Sequence, residues 1–213
     1  MVLQTYEELY DTAMAVGKSM VQRGLPYREK VHGMNLVGIY AKNRIEWYAT
    51  DWACALFGVT SVPLYDTLGK DNLTYCLNQT EMTTLFLSAP CMKVLMALED
   101  IGNLRTLVCY DHLEDIDEAS RNIAHQRGLS VLHFSDLIKH GKGLTDITNA
   151  NIKISKEDTY TFSYTSGTTG PPKGVMLSHK NLMAMFGGLD HYSPLSVDHT
   201  DTHVSYLPLP HIF

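Results

Sequence analysis

One stretch of the sequence gathers groups suited to handling phosphate. Residues 160–181 read YTFSYTSGTTGPPKGVMLSHKN. Its centre offers hydroxyls at Thr165, Ser166, Thr168 and Thr169, glycines at Gly167 and Gly170, prolines at Pro171 and Pro172, and a cation at Lys173, with Gly174 next. Glycines permit positive φ and close approach of a ligand. Successive backbone N–H groups in such a loop form an anion-binding nest. The hydroxyls add donors without charge, and Lys173 can reach phosphate or hold the loop shut. The paired prolines limit the freedom of the unordered loop. Together these groups suit a triphosphate or pyrophosphate. The spacing is not G-x-x-x-x-G-K-[ST]: Pro172 stands five residues after Gly167, and Gly174 follows Lys173. No G-x-G-x-x-G is present either. A merely flexible linker would not need paired prolines and a lysine between two strands.

Other candidates are weaker. Asp198, His199, Asp201 and His203 have metal-ligating types, and the histidines would share a face if helical. Their surroundings (Ser193, Pro194, Ser196, Thr200, Thr202) read as a loop leading into a strand, so no metal is assigned. Asp66 and Thr67 follow an expected strand, where α/β proteins often place ligand residues, but read as turn residues. Cys54, Cys76, Cys91 and Cys109 form no C-x-x-C pair and read as reduced, buried thiols.

The elements around these residues alternate. Residues 5–23 predict an amphipathic helix, with Thr5 and Glu8 at capping-box spacing and Gly24 as the stop. Strands are expected at 36–41, 59–65, 83–87, 106–110 and 130–134. Helices are expected at 44–57 (capped by Asn43 and ended by Gly58), 71–80, 91–99, 116–127 and 135–140. Such alternation with short apolar strands points to parallel βαβ units and an α/β fold. Residues 141–157 are polar and read as a connection between two subdomains, 1–150 and 151–213. Strands at 159–164 and 175–177 flank the phosphate-suited loop, and Ser178 caps a helix from about His179.

The chain has 213 residues, with 17 Lys+Arg against 23 Asp+Glu and a net charge of −6. That balance argues against a dedicated nucleic-acid binder, which shows a basic patch. The amino terminus lacks the basic and apolar regions of a secretory signal. The longest weakly polar run, 52–65, is too short to span a bilayer, which takes about 20 apolar residues. The chain reads as intracellular.

Three motifs carry a family resemblance. The run from Tyr164 through Thr165, Ser166, Gly167, Thr168, Thr169, Gly170, Pro171, Pro172, Lys173 and Gly174 to Val175 resembles the signature phosphate loop of adenylate-forming enzymes. Asn43-Arg44 with Glu46-Trp47, followed by the run from Pro63 to Gly69, is similar to the long-chain fatty-acid–CoA ligases. Ser205-Tyr-Leu-Pro-Leu-Pro-His211-Ile-Phe213 resembles the motif that sets a histidine and an aromatic residue beside the acyl and pantetheine pockets. Long-chain members often have other residues at the places of Pro171 and Pro210.

The resemblance implies part of a large N-terminal AMP-binding domain, with a smaller lid domain beyond Phe213. It implies ATP and Mg²⁺ as cofactors, and a fatty acid and coenzyme A as the other partners. Thr165, Ser166, Gly167, Thr168, Thr169 and Lys173 would hold the β- and γ-phosphates, with Gly170 and Gly174 in the same loop. His211 would serve at the acyl or adenylate end. The magnesium-binding glutamate, the ribose-binding acid and the catalytic lysine would lie beyond Phe213, so residues 1–213 alone are expected not to complete the reaction. The family reading allows peripheral membrane association, in the cytoplasm or on the cytosolic face of an organelle such as the endoplasmic reticulum. The alternatives are a non-catalytic nucleotide-binding fragment, or a ligase for a medium-chain or aryl acid.

Overall fold

A computed structural model describes residues 5–26, 33–144, 152–165, 170–192, 198, 200–201 and 206–211. The first helix, α1 (Tyr6–Arg23), starts where the sequence predicts. The Glu8 amide donates to Thr5 Oγ1 at 3.1 Å and the Thr5 amide to Glu8 Oε2 at 2.7 Å. Such a cap is worth about 1 kcal/mol. Leu9, Ala13, Val16 and Met20 recur at helical spacing and are buried. Gly24 ends the helix at φ 66°, a conformation that costs other residues steric strain.

Strands β1 (Leu36–Tyr40), β2 (Thr60–Leu64), β3 (Thr84–Leu87), β4 (Thr106–Cys109), β5 (Ser130–His133), β6 (Thr159–Thr165) and β7 (Lys173–Ser178) make one sheet in the order β5-β4-β3-β1-β2-β6-β7. The first six are parallel and β7 is antiparallel to β6. Five helices follow within the parallel half: α2 (Ile45–Leu56), α3 (Lys70–Thr80), α4 (Ala89–Met96), α5 (Glu118–Gln126) and α6 (Phe134–Lys142). The last, α7 (His179–Tyr192), follows β7.

Strand alternation divides the core into two layers. Leu36 and Tyr40 of β1, with Leu85, Leu87, Leu107 and Cys109, pack with α3, α4 and α5. Val37 and Ile39, with Phe86 and Val108, pack with α1, α2 and α6. Both faces of β1, β3 and β4 are therefore covered, which explains their continuous apolar sequences. The chain steps from β1 outward to β2, then returns to β3 on the other side of β1. Crossovers of one hand then put α2 on one face and α3, α4 and α5 on the other, as observed.

Some expected boundaries move for local reasons. The helix expected at 91–99 begins at Ala89, because Pro90 fits the first turn, where no amide hydrogen bond is lost. The helix expected at 116–127 starts later. A short 3₁₀ turn covers Leu113–Asp115, and α5 starts after Asp117, whose carboxylate accepts the Ser120 amide at 2.9 Å. Asn43 does not cap α2. Arg44 holds the N-cap place in an extended conformation without a side-chain cap. Residues 145–151, where the expected subdomain division falls, lie outside the described residues. The strands on either side of that segment share the one sheet.

Candidate functional site

The phosphate-suited loop closes a hairpin. Thr165 pairs with Lys173 and Tyr164 with Gly174 at the end of the β6–β7 ladder. The Thr165 hydroxyl donates to the Lys173 carbonyl at 3.3 Å. Tyr164 fixes the end of β6: its ring is buried, and its hydroxyl donates to Gln79 Oε1 on α3 at 2.8 Å. Lys173 is exposed, and among the described residues it makes no ion pair. Gly170 stands at φ 96° with open space around it, as a ligand-facing turn requires. Ser166, Gly167, Thr168 and Thr169 lie outside the described residues.

Gly174 has a different reason from the one its sequence context suggests. It does not share the positive φ of Gly170. A Cβ there would meet the Phe162 ring at 1.9 Å. The missing side chain makes room for an aromatic ring on the neighbouring strand.

Past Ser178 the sequence reading holds. The Asn181 amide donates to Ser178 Oγ at 3.2 Å, and the Ser178 amide to Asn181 Oδ1 at 2.9 Å. This reciprocal cap starts α7.

The segment 206–211 arrives at the same edge of the sheet. The Ser163 hydroxyl of β6 lies 3.5 Å from the Pro210 carbonyl. The exposed His211 ring meets the Tyr65 ring edge to face, with centroids 5.3 Å apart. Tyr65 directly follows β2, and Thr165 ends β6. His211 and the phosphate-suited loop therefore both stand at the carboxyl ends of parallel strands, where open α/β sheets bind ligands. His199 and His203 lie outside the described residues, and Asp198 accepts the Thr200 amide at 2.7 Å as an ordinary turn residue. Asp66 is 4.0 Å from the exposed Lys42 ammonium. Among the described residues, no three His, Cys, Asp or Glu side chains gather to hold a metal ion.

In sheets of this winding, the crevice between β1 and β3 is the usual ligand position. Here protein fills it. Asp111, just beyond β4, accepts the Ala89 amide at 2.7 Å and Arg44 at 2.8 Å. Arg44 also grips Glu46 at 2.9 and 3.1 Å and lies 5.0 Å from the centre of the Tyr110 ring. Burial opposes the Asp111 charge, but the Ala89 amide and Arg44 outweigh it and hold its pKa below the usual range. A cavity of about 580 Å³ lies instead between α2, β6, α7 and segment 206–211. Trp47, Trp52, Phe186, Leu209 and His211 are among the residues lining it.

Sequence reasoning passed over one polar pair in that cavity. Asp51 on α2 is buried, and the Tyr160 hydroxyl donates to its carboxylate. Burial pushes the Asp51 carboxyl up, against the lowering effect of its hydrogen bonds. Burial, and then the Asp51 charge, push the Tyr160 hydroxyl up. The pair lies near the amino end of β6, five residues before Thr165, hence about 16 Å along the strand. It ties α2 to β6 and does not face the phosphate-suited loop. The available signal was an aspartate within the largely apolar run ATDWACAL. The four cysteines are free and buried, as expected, and burial pushes the Cys76 thiol up to about 12 and the Cys109 thiol up to about 11. Such thiols are poor nucleophiles.

The family model for the AMP-binding enzyme matches residues 2–213. Fatty acyl-CoA synthetase B of Dictyostelium discoideum is 32% identical over 209 residues, covering 98% of this chain and 29% of that protein. The peroxisomal long chain acyl-CoA synthetase 6 of Arabidopsis thaliana is 34% identical over 212 residues, covering 98% of this chain and 28% of its own length. Among solved structures, a long-chain-fatty-acid-CoA ligase from Archaeoglobus fulgidus superposes with a TM-score of 0.73 at 23% identity, covering 98% of this chain and 36% of that one. The chain thus spans 28–29% of the length of these two curated relatives.

Proposed function

This chain belongs to the AMP-binding enzyme family, and on that premise we propose that it carries the phosphate-binding and acyl-facing part of an ATP-dependent long-chain fatty-acid–CoA ligase. The observation that carries the reading is convergence. The hairpin between Thr165 and Lys173 and the segment bearing His211 meet at the carboxyl ends of β6 and β2.

In the proposed first half-reaction, a fatty-acid carboxylate oxygen attacks the α-phosphorus of ATP. An acyl–phosphate bond forms, the α–β phosphoanhydride bond breaks, and pyrophosphate leaves. In the second, the sulfur of coenzyme A bonds to the acyl carbon, its thiol proton is lost, and AMP leaves. The difficulty of the first step is negative charge, which positioned donors and a cation offset. In this reading Thr165, Ser166, Gly167, Thr168 and Thr169 supply backbone and hydroxyl donors to the β- and γ-phosphates, Lys173 supplies the cation, Gly170 gives the loop its turn, and Gly174 pairs with Tyr164 at the end of the ladder. His211 stands at the acyl end. Magnesium belongs to the family reading, whose magnesium-binding glutamate would lie beyond Phe213.

The chain's share of its relatives' length supports a second reading for these 213 residues taken alone: nucleotide binding without turnover. Acid-dependent ATP–pyrophosphate exchange with a palmitate-like acid tests the first reading, and medium-chain and aryl acids serve as competitors. Absence of acid-dependent exchange in the full-length protein would overturn it. Acyl-CoA formation by residues 1–213 in isolation would overturn the second. No helix among the described residues is long and apolar enough to cross a membrane. A place on the cytosolic face of an organelle is proposed with the ligase reading and tested by fractionation.

A further inference from the structure

Asn43 has the residue type of a helix cap but stands one place before the N-cap of α2, which is Arg44. Its carboxamide reaches far along the chain. Nδ2 donates to the Leu207 carbonyl at 2.7 Å, and Oδ1 accepts the Leu209 amide at 2.9 Å. The partners lie 164 and 166 residues away in the sequence. This two-pronged pairing copies one rung of a β ladder, with a side chain in place of a strand. The base of the clamp is held firm, because the adjacent Arg44 is tied to both Glu46 and Asp111. The far end bears His211, whose amide closes a turn onto the Pro208 carbonyl at 2.9 Å and whose ring meets Tyr65.

We propose that Asn43 is a positioning residue: it seats segment 206–211 across the cavity and so fixes where His211 meets the acid substrate. The proposal rests on the ligase reading for the word substrate, but the seating itself is independent of activity. Both of these Asn43 hydrogen bonds go to the segment that bears His211, the acyl end in the ligase reading, so the effect is expected on the acid rather than on ATP. Two hydrogen bonds between partly hydrated groups are together worth roughly a tenfold change.

The test compares the wild-type full-length protein with Asn43→Ala and Asn43→Asp. Asp keeps the acceptor for Leu209 but loses the donor and sets a charge against the Leu207 carbonyl. Neither variant alters the N-cap position of α2. The two tryptophans among residues 1–213, Trp47 and Trp52, both line the cavity walled by the segment. Acrylamide quenching of their fluorescence, read against single-tryptophan substitutions if others lie elsewhere, reports the seating without turnover. The expected result is increased quenching in both variants with unchanged far-ultraviolet circular dichroism. Unchanged quenching in both overturns the clamp. In acid-dependent exchange, the KM for the acid should rise about tenfold while that for ATP stays within about twofold. Equal rises in both, or none, overturn the positioning role. Should the wild-type protein show no acid-dependent exchange, the ligase reading fails, while the quenching still decides the clamp.

Discussion

Strands β1–β5 and the β6–β7 hairpin with α7 share one sheet but are finished differently. Phe86 and Ile39 in the first region are 0% exposed, enclosed between helices on both faces. In the second, Met176 is 60% and Phe186 50% exposed, and β7 is an outer strand of the sheet. The first region spends its sequence on closure. Even its natural ligand crevice, between β1 and β3, is plugged by Arg44 and Asp111. The second leaves apolar surface and a cavity open beside the β6–β7 hairpin. On the proposed function, stability and ligand chemistry fall to neighbouring strands, and substitutions should separate them.

The largest expected effect is on folding. Phe86→Ala removes a ring that packs on Tyr110 and Phe134 and should cost about 4 kcal/mol of unfolding free energy. Chemical denaturation measures it, and a loss under about 1 kcal/mol would break the comparison. Next comes Lys173→Ala, expected to reduce exchange about 100-fold, or about 3 kcal/mol of transition-state stabilisation. Its melting temperature should stay near wild type, because the side chain is exposed.

Asp111→Asn should cost about 2 kcal/mol at neutral pH, since it leaves Arg44 and the Ala89 amide with a weaker acceptor. The Asp111 pKa is lowered on folding. Its contribution is therefore present above the ordinary carboxylate range and is lost as pH falls through the folded value, below 3.8. Wild type and variant should converge there in denaturation series run from pH 7 to pH 2. Asp51 has the opposite sign. Its folded pKa is raised, so the folded state binds the extra proton and stability falls as pH rises above the unfolded value. Asp51→Asn keeps an acceptor for Tyr160 and should flatten that slope, a gain of about 1 kcal/mol at pH 7. Phe186→Ala, at the exposed end of the series, should change stability by less than about 0.5 kcal/mol.

The α/β alternation was legible because buried strands and amphipathic helices have different apolar periods. The cap at Thr5–Glu8 and the stop at Gly24 were legible because both depend on neighbours within four residues. The loop at Thr165–Lys173 stood out by composition alone. What could not be read depends on contacts distant in sequence. Asn43 looks like a cap until Leu207 and Leu209 are placed beside it. Gly174 looks like a ligand-facing glycine until Phe162 is seen to fill the space. Asp51 is one polar residue in an apolar helix, and only Tyr160, on a strand far along the chain, explains it. Arg44 and Asp111 are 67 residues apart and show no local pattern that pairs them.

The most direct test of the central claim is acid-dependent ATP–pyrophosphate exchange by the full-length protein, wild type against Lys173→Ala, with melting temperature measured on the same samples. The claim predicts exchange that requires a long-chain acid, falls about 100-fold in the variant, and does so without a change in melting temperature. Exchange indifferent to the acid, or equal in the two proteins, would contradict it.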